Sequence, residues 1–167
     1  MHFDVDGKAF CIKNRIIPNG RSRLQRLSMI NGVLEGEVFY HRPGVALVSW
    51  DPASQAVYID WQAWANSTEF ESLLEAGIRA LKEHHGWRCL SDCRNMQAVS
   101  QPDQEWIDGN WLPRAHAAGL RRMAVVVPYS GLTRMHVYNM LGSVSDAKMD
   151  VEYFGTIEAA TEWLVTW

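Results

Sequence analysis

The stretch Val45-Ala46-Leu47-Val48-Ser49-Trp50, Asp51-Pro52-Ala53-Ser54, Ala56-Val57-Tyr58-Ile59-Asp60-Trp61 decides the fold of this chain. Its outer segments are rich in β-branched and aromatic residues, and the Asp-Pro-Ala-Ser between them is a tight turn, so it reads as an antiparallel hairpin. Val38-Phe39-Tyr40 before it reads as a further strand. Directly after it the period changes. Phe70, Leu73, Leu74, Ile78 and Leu81 recur at intervals of three and four opposite Glu69, Glu71, Glu75 and Lys82, the stripe of a half-buried helix capped by Asn66 or Ser67 and ended by Gly86.

Working outward, Arg88 to Cys93 reads as a short strand, and Ser100-Gln101-Pro102-Asp103 as a helix start, with Ser as the cap, Pro in the first turn and an acid on the helix dipole. Trp106, Ile107 and Trp111 lie on its buried side, and Pro113 is expected to kink or restart it before Gly119. Met123 to Val127 is wholly apolar, the mark of a strand covered on both faces. Leu132 to Leu141 is a weaker helix, Val151 to Phe154 a last strand, and Thr156 caps a final helix whose Ile157, Ala160, Thr161 and Leu164 face the sheet. Antiparallel N-terminal strands followed by βαβαβα units predict an α/β fold, an open mixed β-sheet with flanking helices, over residues 36–167. Residues 1–35, with their Asn and Gly turn signals, read as an N-terminal extension carrying one or two extra strands.

Composition narrows the function classes. Net charge is -3, with 16 Lys and Arg against 19 Asp and Glu, which argues against a general nucleic-acid binder. The exception is local: Lys13, Arg15, Arg21, Arg23 and Arg26 form a basic run, read as a solvated arm or edge strand before an anion-binding patch. The longest apolar run, Met123 to Val127, falls far short of the roughly 20 residues of a membrane span. Met1-His2-Phe3-Asp4 opens neither a positive nor an apolar segment, so no secretory signal and a cytoplasmic setting are expected. Cys11, Cys89 and Cys93 suit free thiols in a reducing compartment. Cys89 and Cys93, four apart on a strand, would stand about 13 Å from each other, too far for a disulfide. Together with His84 and His85 they match no standard zinc spacing, so no metal or cofactor is expected. The two histidines finish a helix at its negative end.

Catalytic signatures are absent from the sequence. There is no dinucleotide-binding or phosphate-binding glycine loop and no nucleophile elbow, and a cysteine-phosphatase reading of Cys93 fails because Val99 stands where an Arg is required. What remains is positional, since loops beyond the carboxyl ends of parallel strands are where such sheets collect ligands and contacts. Asp92, Arg94, Asn95, Ser100, Tyr129 and Ser130 fall on those loops and form the candidate binding or regulatory set. The plainer alternative is that Asp92 and Arg94 pair, Asn95 makes a turn and Ser100 is only a cap. Phosphorylation of Ser100 would place about two negative charges at a helix start, with Asp92 and Asp103 nearby to repel them.

Several pieces carry a family resemblance: Leu90-Ser91-Asp92-Cys93-Arg94-Asn95 at a strand end, Trp106-Ile107 with Asn110-Trp111-Leu112-Pro113 in the next helix, Gly119-Leu120 leading into Ala124 to Pro128, and the terminal run from Phe154 to Leu164. From about Val38 to Leu164 the chain resembles STAS-like domains, the fold group of the bacterial anti-sigma-factor antagonists and the small SpoIIAA-like proteins. The resemblance implies a sheet of four to six strands with helices, usually no catalysis, and a regulatory protein-protein role or, as in lipid-carrier relatives, retention of a small apolar ligand. Antagonists carry an Asp-Ser pair before the second helix, the Ser being phosphorylated by the partner kinase; here Val99 precedes Ser100. The expectation is therefore a noncatalytic regulatory or interaction domain, with a carrier or sensor of an apolar ligand as the alternative and an enzyme that uses Asp92, Arg94, Tyr129 and Ser130 as a third. Trp61, Trp64, Trp111 and Trp167 are more large apolar surface than such a domain usually keeps inside, which points to a homodimer.

Overall fold

The computed structural model describes residues 2–3, 9–10, 26–27, 36–127 and 149–166. The early segments supply short backbone pairings: β1 (His2–Phe3) lies antiparallel to β2 (Ala9–Phe10), and β3 (Arg26–Leu27) adds to the edge of the main sheet. That sheet continues through β4 (Gly36–Arg42), β5 (Ala46–Asp51), β6 (Ala56–Trp61), β7 (Arg88–Asp92), β8 (Arg122–Val126) and β9 (Asp150–Phe154). Its seven strands stand in sequence order, antiparallel from β3 to β6 and parallel from β6 to β9. This is the expected mixed sheet. Of the basic run only Arg26 falls in the described residues, on the edge strand β3. Cys11, Trp167 and the predicted helix from Leu132 to Leu141 lie outside them.

Helix α1 (Ser67–His84) starts as its sequence dictates: the Asn66 side chain accepts from the Glu69 amide while the Glu69 carboxylate accepts from the Asn66 amide, a reciprocal capping box. Its end differs from expectation. The left-handed residue is His85, at φ 51°, and Gly86 is needed for another reason: a Cβ there would stand 2.6 Å from the Trp50 ring. Gly86 follows His85, and its amide donates to the Leu81 carbonyl at 2.8 Å as the helix ends. His84 lies flat on Trp50 with centroids 4.5 Å apart, and its Nε2 reaches Glu37 at 3.2 Å.

Between β7 and β8 the chain runs through α2 (Gln101–Trp106), a wide π turn (Ile107–Trp111) and α3 (Leu112–Ala117). Pro113 causes the widening. It has no amide to donate and its ring crowds the preceding turn, so the Leu112 amide reaches back to the Ile107 carbonyl before the α-helix resumes. After β9, Thr156 caps α4 (Ile157–Val165) by accepting from the Ala159 amide.

Alternation along the strands sends the helices' partners to opposite faces. Val57, Ile59 and Trp61 of β6, Cys89 of β7, and Met123 and Val125 of β8 pack with α1 and α3 into the larger core, which also takes in Phe39, Val48 and Trp50. Ala56, Leu90, Ala124 and Val126 face the other way and pack with Ala160 and Leu164 of α4. All of β8 is buried, as its unbroken apolar run predicts. Trp61 and Trp111 are buried too, which corrects their reading as surplus surface: each indole N–H finds an acceptor inside, Ser91 Oγ at 3.1 Å and the Leu74 carbonyl at 2.9 Å. With them buried, tryptophan surface no longer points to a homodimer.

Candidate functional site

The carboxyl ends of β6 and β7 lie side by side, Asp60 in register with Asp92. Because β7 alternates, Ser91 and Asp92 leave it on opposite faces, and the predicted site residues separate accordingly. Ser91 takes the Trp61 indole on the α1 face. Asp92 turns to the α4 face with Tyr58.

On that α4 face Asp92 is almost fully buried and is gripped by Arg94, whose Nε lies 2.9 Å from Oδ1 and whose terminal nitrogen lies 2.7 Å from Oδ2. The Arg94 amide also donates to Oδ1 at 3.2 Å, and the Tyr58 hydroxyl donates weakly to Oδ2 at 3.4 Å. Burial raises the Tyr58 pKa well above its usual value, and the carboxylates of Asp60 and Asp92 push it further. Burial likewise raises the Asp60 carboxyl, opposed by the Gln62 amide that donates to it at 2.8 Å. A bidentate ion pair closed by a turn is the plainer of the two sequence readings, and its geometry holds the strand end rather than presenting a reactive group.

On the other face the β6–α1 connection (62–66) and the β7–α2 connection (93–100) enclose a cleft of about 270 Å³. Trp61, Trp64, Phe70, Met96 and Val99 contribute its apolar lining, with Ser67, Ser100 and Asp103 also bordering it. Trp64 is 57% exposed, the largest apolar side chain open to solvent among the described residues. Ser100 caps α2, accepting from the Asp103 amide at 3.3 Å and donating to Asp103 Oδ2 at 2.6 Å. The Ser67 hydroxyl donates to the same oxygen at 3.1 Å, joining the starts of α1 and α2 through one carboxylate.

The six predicted site residues therefore do not form one site. Asp92 and Arg94 come together, Asn95 is exposed on the loop beside them, Ser100 belongs to the cleft across the sheet, and Tyr129 and Ser130 lie outside the described residues. The expected repulsion between a phosphorylated Ser100 and Asp92 is corrected, since the two face opposite ways; Asp103 alone stands beside Ser100. The cleft is not legible in the sequence because its walls come from two loops separated by all of α1 and β7, although Trp64 in the first of them was a signal for it. Cys89 and Cys93 are free and buried on the α1 face, and burial pushes both thiols up to about 12, which suits packing and not nucleophilic work.

The family model described as SpoIIAA-like matches residues 56–165, from β6 to the last residue of α4. No curated protein and no solved structure matches the chain.

Proposed function

We propose, from the premise that this chain belongs to the SpoIIAA-like family, that it is a noncatalytic regulatory domain of the cytoplasm that binds a protein partner through the cleft between the β6–α1 and β7–α2 connections. The observation that carries this reading is Trp64, 57% exposed on the rim of an apolar cleft. Large aromatics at the centre of an interface are the side chains that most often dominate binding energy. A noncatalytic role is supported by the commitment of polar groups to one another: Asp92 to Arg94, Asp103 to two serine hydroxyls, and both described thiols to the core.

Ser100 is the regulatory residue in this reading. A phosphate on its hydroxyl would end the bond to Asp103 and set two like charges together at the cleft, so modification would change what the cleft binds. The test is capture from native extract on the tagged full chain, identification of the bound protein, and titration of that purified partner. Trp64→Ala should weaken binding about thirtyfold, the value of a hot-spot residue, with an unchanged circular dichroism spectrum. Ser100→Glu should alter it as well, without unfolding the domain. Undiminished binding by Trp64→Ala would remove the cleft from the interface.

The apolar walls Trp61, Phe70, Met96 and Val99 favour a second reading, a carrier of a small apolar ligand. Native mass spectrometry beside the denatured mass separates the two: a small molecule that leaves on denaturation, and is missing from Trp64→Ala, supports the carrier.

A further inference from the structure

The polar side of the cleft has a chemistry more specific than its apolar walls. Asp103 is only 7% exposed, and the Ser67 and Ser100 hydroxyls both spend their single proton on its Oδ2. The Trp61 indole N–H is spent on Ser91. Asp103 Oδ1 has no donor among the described residues. The side chains of the floor therefore offer a carboxylate oxygen and hydroxyl lone pairs, all acceptors, and Gln97 is on the exposed rim. An anion would meet the negative charge of Asp103 and two hydroxyls whose protons are already committed to it. A group rich in N–H donors and positively charged would meet the complement.

The walls narrow the choice further. An exposed indole attracts a cation to its face, and a planar guanidinium both stacks on such a ring and donates to a carboxylate along a fixed direction. A cleft of about 270 Å³ falls below the usual range for whole drug-sized ligands, roughly 300–1,000 Å³, which suits one anchoring side chain. Resting on the reading of this cleft as the partner-contact surface, we infer that it receives the guanidinium of an arginine side chain of the partner protein, stacked on Trp64 and hydrogen-bonded to Asp103.

The test is a nuclear magnetic resonance titration of the isotope-labelled full chain with N-acetyl-arginine amide, and with the citrulline analogue, which has the same shape and no charge. The arginine probe should shift the Trp64 indole N–H and the Ser100 amide saturably at millimolar concentration. Citrulline should bind about tenfold more weakly, the value of one charge-assisted hydrogen bond. Asp103→Asn, which keeps an oxygen for both serine hydroxyls, should weaken the arginine probe by a similar factor, and Trp64→Ala, an exposed change that leaves the core intact, should do the same. Equal binding of citrulline, an unaffected Asp103→Asn, or no saturable shift would overturn the inference. If the arginine probe leaves the cleft unmoved while Trp64→Ala still abolishes partner binding, the inference falls and the partner surface stands. If the probe binds at Asp103 but the partner ignores Trp64→Ala, the partner surface falls and takes with it the partner as the source of the guanidinium.

Discussion

The two faces of the sheet are built from the same alternating strands and do different work. Toward α1 and α3 the strands present Val48, Trp50, Val57, Ile59, Trp61 and Val125, large side chains that make one continuous core. Toward α4 they present Ala56, Leu90, Ala124 and Val126, and beyond this small cluster come Tyr58, Asp60, Asp92 and the Arg122 guanidinium lying 3.8 Å over the Trp163 ring. One face is held by burial of apolar area, whose benefit scales with size. The other is held by a thin apolar contact and by polar groups whose worth depends on keeping their partners. The difference teaches where the chain tolerates change and where the medium can reach it.

The comparison is broken most directly by truncating one fully buried leucine on each face. Leu73→Ala on α1 should cost about 3–5 kcal/mol, and Leu164→Ala on α4 nearer 2 kcal/mol, because the smaller cluster under a terminal helix can close over the gap. Urea unfolding of both variants measures this, and equal losses would mean that the faces share the load. Removing the carboxylate that Arg94 and Tyr58 share, by Asp92→Ala, should cost about 1–3 kcal/mol, toward the lower end because the Arg94 side chain is 31% exposed and water can replace part of the pair. A loss matching Leu73→Ala would put the polar face on a par with the core.

Gly86→Ala sharpens the apolar side. The added methyl meets the Trp50 ring, which is itself stacked on His84, so a cost of about 1–3 kcal/mol is expected in thermal unfolding. A neutral result would show that this ring gives way freely. The smallest effect is a gain on the polar face. Burial raises the Asp60 carboxyl above its ordinary value of 3.8, so the native chain holds that proton more tightly than the unfolded chain does. The stability linked to this group is complete below the ordinary value and is lost as pH rises through the folded value. Asp60→Asn, which keeps an oxygen for Gln62, should therefore be more stable than the natural chain at neutral pH, and the gap should close near pH 3. Thermal unfolding at the two pH values checks it, and a gap independent of pH would assign the gain to something other than the charge.

Legibility followed the range of the interactions. The hairpin from Val45 to Trp61, the Asn66 and Thr156 caps, the Ser100 start of α2 and the disturbance at Pro113 are effects of residues within a few positions of one another, and each stands where its local chemistry placed it. The errors were of longer range. That Gly86 must also clear the Trp50 ring has no local signal, and Trp61 and Trp111 look like surface until Ser91 and the Leu74 carbonyl supply acceptors from elsewhere in the chain.

The candidate site shows the same division. That Asp92, Arg94 and Ser100 belong to the strand-end edge follows from strand and helix boundaries alone, which periodicity and caps reveal. Which of them can act together depends on the face each side chain leaves by and on which loops meet above the sheet. By itself the sequence determined an open mixed α/β sheet and the order of its elements along the chain, because local propensity and chain connectivity decide those. Only the tertiary structure decided that Asp92 closes an ion pair on one face while Ser100, Ser67 and Asp103 border a cleft on the other, because that depends on register across strands and on loops brought together by packing.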